Sequence, residues 1–163
     1  DALVNNASVY AKHPFGTVTA RDFDLQMAVN ARAPLLLAQA LAPSLRRARP
    51  GKVVNIADWS GRRPYADWAP YCASKAALLC LTQAMAKALA PDVTVNALLP
   101  GPVLGPEEGG AAARRWARAA ARANLLGRVG SPADVAAAVS FLLAGSDFIT
   151  GAAIPVDGGR SAA

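Results

Sequence analysis

The sequence predicts an α/β fold in which short parallel strands alternate with longer helices. Three observations point there. Lys52 to Ala57 and Val93 to Leu99 are short apolar runs of the kind that form buried strands. Between them, from about Trp68 to Ala90, alanine and leucine recur on several faces of one long helical pattern, which implies burial on more than one side. An apolar share of 53% with only 6% aromatic residues suits helices packed on a sheet. At 163 residues the chain is one domain, 1–163, long enough to enclose a core.

The elements follow in order. Ala2-Leu3-Val4-Asn5 starts directly on a strand, and an unpaired edge on that strand would invite self-association. Thr19-x-x-Asp22 reads as a capping box that opens a helix. Phe23, Met27 and Asn30 continue it, and an apolar stripe is expected through Leu35, Leu36, Ala40 and Leu41. Pro34 lacks a backbone donor and disturbs the turn before it, where Asn30 lies. A kinked turn with a freed carbonyl is a plausible water site. From Glu107 to Asn124 the composition turns to Gly, Ala and Arg, with Trp116 the one large side chain; a mobile lid and a plain surface helix both fit. Ser131-Pro132-Ala133-Asp134 starts a helix whose buried stripe is Val135, Ala138, Val139 and Leu142. A last strand, Ala152 to Val156, leads into Asp157-Gly158-Gly159.

Composition narrows the function. No apolar run reaches the length of a membrane-spanning helix, so no membrane partner is expected. Cys72 and Cys80 lie eight residues apart on one predicted helix, roughly 12 Å along its axis. That is too far for a disulfide, so reduced thiols and a cytoplasmic location are expected. His13 is the single histidine, which leaves no multi-histidine metal site, and no metal is expected. The net charge of +6 comes largely from arginines at 46, 47 and 49, at 62 and 63, and at 114, 115, 118 and 122. They lack interleaved aromatics, so solvated faces are expected rather than nucleic-acid binding. Attraction of an anionic cofactor or substrate is a milder reading.

The chemistry concentrates between Asp58 and Lys75. Tyr71 and Lys75 are four apart on a helix and so share one face. A neighbouring ammonium favours the phenolate, and a phenol tuned downward this way can pass a proton to a carbonyl or imine while another group delivers hydride. Asp58 follows a strand, at the sheet edge where parallel α/β proteins bind ligands.

Asn5-Asn6-Ala7, Asn30, Tyr71-x-x-x-Lys75, Val95-Asn96, Pro100-Gly101 and Asp157-Gly158-Gly159 occur in an order and at a spacing that resemble the short-chain dehydrogenase/reductase family. The resemblance covers essentially the whole chain and implies a Rossmann-like, doubly wound parallel sheet. No G-x-x-x-G-x-G occurs, so the chain looks like a C-terminal catalytic part whose first three strand–helix units are missing. It further implies catalytic roles for Tyr71 and Lys75, with the Asn30 main chain holding a water. NADPH binding would involve Asn5, Ala7, Ser8, Tyr71, Lys75 and the loop of Pro100, Gly101 and Val103, with Asn5 also stabilising the sheet.

Within the family, Asn-Asn-Ala-Ser followed by an aromatic, and aspartate where most relatives have serine thirteen residues before the tyrosine, resemble the pteridine reductase branch. That implies a pterin or dihydropterin substrate held by Asp58, Tyr71 and Leu104 and stacked on Tyr10, with a catalytic role for Asp58 in helping to protonate the ring nitrogen. A homodimer or homotetramer is implied through the helix of Tyr71. Two alternatives stay open: a carbonyl or alcohol oxidoreductase in which Asp58 is incidental, and a catalytically silent module.

Overall fold

A computed structural model describes residues 1–105 and 109–163. Four strands form one parallel sheet in the order β1-β2-β3-β4: Ala2–Asn5, Gly51–Ile56, Val93–Pro100 and Ala153–Val156. The helices are α1 (Ala20–Met27), α2 (Ala33–Ala48), α3 (Ala69–Leu89), α4 (Gly110–Ala123) and α5 (Pro132–Ala144). The α/β expectation and the predicted strands agree with this architecture to within a residue or two at each end. Among the described residues no helix is long and apolar enough to cross a membrane.

The two inner strands, β2 and β3, are buried along nearly their whole length, as continuous apolar runs in parallel sheets must be. Val53 and Val95 turn toward α2 and α3, packing with Ala38, Leu45, Met85, Ala86 and Leu89. Val54 and Leu98, one residue along, turn to the opposite face and pack with Leu142 of α5. Sheet and helices thus form three layers. The interior also holds a polar chain: Asn5 Nδ2 donates to Asn55 Oδ1 at 2.8 Å, and Asn55 Nδ2 donates to Thr82 Oγ1 at 2.9 Å. It ties β1, β2 and α3 together at the level where the site begins.

Both expected capping boxes are present, Thr19 with Asp22 and Ser131 with Asp134. The expected α2 stripe needs correction. Leu36 (51% exposed), Ala40 and Leu41 face outward, while Pro34, Ala38 and Leu45 are buried and Leu35 packs beside them. The cause is a π turn over Ala28–Arg32. A single π turn takes up one extra residue and rotates everything after it relative to a continuous α-helix. Proline at 34 has no N–H to offer the Asn30 carbonyl, which removes the α-type bond that would otherwise hold that register.

Candidate active site

The carboxyl ends of β1, β2 and β3 present the predicted residues along one edge, and a hydrogen-bond network draws most of them together. Asp58 leaves β2 and caps a short 3-10 turn, Trp59–Gly61, by accepting the Ser60 N–H at 2.7 Å through Oδ1. Its other oxygen, Oδ2, accepts the Tyr71 hydroxyl at 3.0 Å. The acid and the phenol therefore occupy one site. Tyr71 lies in the first turn of α3, where Pro70 starts the helix without wasting a backbone donor. One turn later Lys75, 2% exposed, extends along the helix and donates to the Ile56 carbonyl at 2.9 Å.

The net shift of the Tyr71 pKa is upward rather than downward, which corrects the sequence expectation. The Tyr71 hydroxyl is pushed well above the ordinary phenol value, first by burial, then by the Asp58 charge and the hydrogen bond to it. Lys75 itself is pushed down to about 8 by burial, with Asp58 pulling the other way. The reason is placement: the ammonium lies 5.7 Å from the Tyr71 ring centroid and spends a proton on a backbone carbonyl, whereas the carboxylate touches the hydroxyl directly. In this arrangement the phenol is a firmly held proton donor.

Asn30 is 1% exposed, which rules out a solvent-facing helix position. Its side chain clamps the loop after β1: Oδ1 accepts Ser8 Oγ at 3.0 Å and Val9 N at 2.9 Å. Nδ2 reaches Val9 O at 2.9 Å, Gln26 Oε1 at 3.0 Å and Ser74 Oγ at 3.0 Å. Ser74 in turn donates to the Tyr71 carbonyl at 2.7 Å. This clamp positions Tyr10, whose ring meets Tyr71 edge-on at 4.7 Å and stacks on Trp68 at 5.7 Å. Ser8 and Ala7 are exposed on that loop.

The second predicted loop is more dispersed. Pro100 ends β3, and Gly101 donates to the Val156 carbonyl at 3.1 Å. A Cβ at Gly101 would lie 2.8 Å from Asp157 Cα, so close packing on β4 already demands glycine there. Val103 is half-buried and Leu104 is 77% exposed, so Leu104 is not drawn into the Asp58–Tyr71 cluster. At Gly105 a Cβ would meet the Trp116 ring at 2.7 Å. The indole of α4 therefore rests against this loop. The rest of the predicted loop and the start of the predicted lid, residues 106–108, lie outside the described residues. Among the described residues no cluster of ligating side chains fits a metal.

Sequence reasoning missed Gln26, which is 1% exposed, and the aromatic run beside the site. Trp59, Tyr65, Trp68 and Tyr71 recur within thirteen residues, a density unusual in a chain with 6% aromatics and the available signal.

The sheet and its edge define a doubly wound α/β protein of the Rossmann-like class, with proton-handling groups where such sheets bind ligands. A family model described as Enoyl-(Acyl carrier protein) reductase matches residues 1–161. Galactitol 2-dehydrogenase of Agrobacterium fabrum is 35% identical over 98% of this chain and 68% of its own length. L-xylulose reductase of Bos taurus is 38% identical over 98% of this chain and 67% of its own. The solved structure of 4-hydroxyisoleucine dehydrogenase complexed with NADH superposes with a TM-score of 0.88 at 28% identity, covering 100% of this chain and 70% of that one. The chain belongs to the short-chain dehydrogenase/reductase family, an NAD(P)-dependent oxidoreductase family, and spans about two thirds of the length of these relatives.

Proposed function

We propose that the protein serves an NAD(P)-dependent oxidoreduction between a carbonyl compound and the corresponding secondary alcohol. The observation that supports it most is the 3.0 Å bond between Tyr71 and Asp58, with Lys75 buried behind them. In reduction, Tyr71 Oη gives its proton to the substrate oxygen as that oxygen gains negative charge. The phenolate left behind is stabilised by the Lys75 ammonium, whose pKa of about 8 lets it return a proton near neutral pH. Asp58 holds the hydroxyl and accepts a hydrogen bond from the substrate.

A nicotinamide nucleotide bound at this edge supplies or accepts the hydride. The residues fit such a group: Lys75 Nζ has three protons and meets one acceptor among the described residues, Ile56 O, leaving donors for sugar hydroxyls. The exposed Ala7–Ser8 backbone, Asn5, and the Pro100, Gly101 and Val103 loop border the same edge. NADPH was the first expectation. NADH accompanies 4-hydroxyisoleucine dehydrogenase, so both forms need testing.

The names of galactitol 2-dehydrogenase and L-xylulose reductase favour a polyol or ketose substrate. A second reading, reduction of a pterin, is favoured by Asp58 in the usual serine position and by the Tyr10–Trp68 stack, a ready platform for a flat ring. Full-length protein assayed with L-xylulose, galactitol and dihydrobiopterin separates them. Turnover of the sugars alone supports the first reading; turnover of the pterin alone replaces it; no turnover of any with either cofactor removes both.

Self-association as a homodimer or homotetramer is part of the same proposal. The outer face of α3 (Ala73, Ala76, Cys80, Ala84) is small and exposed, beside exposed Leu36, Leu37 and Leu41 of α2. Exposed apolar side chains gathered in this way are typical of an interface. Free thiols at Cys72 and Cys80 suit a reducing cytoplasm.

A further inference from the structure

A cavity of about 200 Å³ lies one residue beyond Asp58, lined by Trp59, Arg62, Arg63, Leu99, Asp157 and Ser161, among others. Leu99 and Asp157 mark the carboxyl ends of β3 and β4, so the cavity occupies the same sheet edge as the catalytic cluster, two strands farther along. Its lining includes one aromatic ring, Trp59, and two cations, Arg62 and Arg63. The Arg160 guanidinium sits over the Trp59 ring at 5.1 Å, a cation–π contact that holds it in place. Arg62 and Arg63 are exposed at the mouth.

Among the described residues none of these three arginines pairs with a carboxylate; the five ion pairs found there involve other residues. Asp157 is the acid in the lining, and both its oxygens are engaged by backbone N–H groups of Gly159 and Ser161, at 2.9 Å each. Its carboxylate is therefore held by the turn and forms no ion pair with these arginines among the described residues. Arg63 Nη1 makes one long bond, 3.5 Å, to the Ala163 carbonyl oxygen. Guanidinium groups free of Asp or Glu partners, around a pocket of this size, match the planar, two-pronged acceptor geometry of a carboxylate or phosphate.

The cavity is also joined to the centre. Tyr71 meets Tyr10, Tyr10 stacks on Trp68, and Tyr65 bridges Trp68 to Trp59 with centroid distances of 6.1 Å and 5.6 Å. Burial above all pushes the Tyr65 hydroxyl up to about 12, and charges at both ends act on it, Asp58 adding to the rise and Arg160 opposing it.

We propose that this cavity is an anion subsite beside the Asp58–Tyr71 centre, taking the carboxylate or phosphate group of an acidic substrate. The substrate assignment rests on the oxidoreductase reading; the anion binding does not. Full-length protein with 15N-labelled indoles is titrated at constant ionic strength with acetate and, separately, with inorganic phosphate, following the Trp59 signal. The expected result is a saturable Trp59 shift with at least one anion, weakened tenfold or more by Arg62→Ala/Arg63→Ala. Arg114→Ala/Arg115→Ala on α4 should leave it unchanged. Preference for acetate points to an acid substrate, and preference for phosphate to a phosphate ester. No saturable shift with either anion, or equal affinity in the Arg62/Arg63 variant, overturns the proposal. A saturable, Arg62/Arg63-dependent shift in a protein without oxidoreductase turnover supports the subsite while removing the reaction.

Discussion

The Tyr71 hydroxyl donates to Asp58 Oδ2 at 3.0 Å, so the residue proposed as the reaction's proton donor is held by a negative charge rather than released by a positive one. Burial and that charge together raise the phenol's pKa. Serine, the residue the family resemblance leads one to expect here, would give the phenol an uncharged partner. The substitution therefore alters proton affinity as well as hydrogen-bond shape.

Asp58→Asn should bring the Tyr71 titration down. Asparagine still accepts the hydroxyl but removes the charge that penalises phenolate, a change of about one pKa unit or more. In the full-length enzyme the alkaline limb of the reduction rate should move to lower pH by that amount. The oxidation rate, which needs phenolate, should rise at a lower pH than in the native protein. An unmoved pH profile would mean that Asp58 does not tune Tyr71.

Lys75 links activity to stability. Its folded pKa of about 8 lies below the ordinary lysine value of 10.5, so between those values the unfolded chain binds the extra proton. Stability must then rise with pH across that window, by an amount on the order of 3 kcal/mol for a shift of this size. Below pH 8 both states are protonated and the burial penalty is constant. Lys75→Met should abolish turnover and flatten the rise. Urea unfolding from pH 7 to 10, native against variant, checks it; parallel curves would place Lys75 in a more hydrated setting than this.

The Asn5–Asn55–Thr82 chain carries no reacting atom, yet it fixes the strand ends from which Asp58 and the Ser8 loop depart. Asn55→Ala leaves the Asn5 amide without its acceptor and Thr82 without its donor, in an interior where Asn55 is 0% exposed. A loss of about 2 kcal/mol is expected from such orphaned groups. A fall in the urea midpoint at unchanged slope would show it, and a change under about 0.5 kcal/mol would show water replacing the amide.

How much of this was legible beforehand follows from how local each signal is. Asp58 and Tyr71 meet because one ends a strand and the other opens the next helix, and both facts are written in short windows of sequence. The capping boxes at Thr19 and Ser131 are equally local. The Asn30 clamp joins residues up to 44 positions apart, and no window around Asn30 contains Ser8 and Ser74 together. The π turn escaped for a related reason. Pro34 announces a disturbed turn, but whether the chain kinks or inserts a residue depends on what Gln26 and Asn30 bind once folded. The error in the α2 stripe is the direct consequence.

That same rotation sets up the last prediction. By turning Leu36, Leu37 and Leu41 away from the core, the π turn leaves apolar side chains exposed beside the small-residue face of α3. Leu37 and Leu41 are four apart and so stand on one helical face. Leu37→Glu/Leu41→Glu adds two charges there without touching the buried Ala38 and Leu45. The folded state should persist, with an unchanged far-UV circular dichroism spectrum, while light scattering of the full-length protein drops to a smaller assembly. Charges at an interface core are costly unless paired, so dissociation by tenfold or more is expected. If the assembly kept its mass with both glutamates in place, these leucines would face solvent and self-association would have to use another surface.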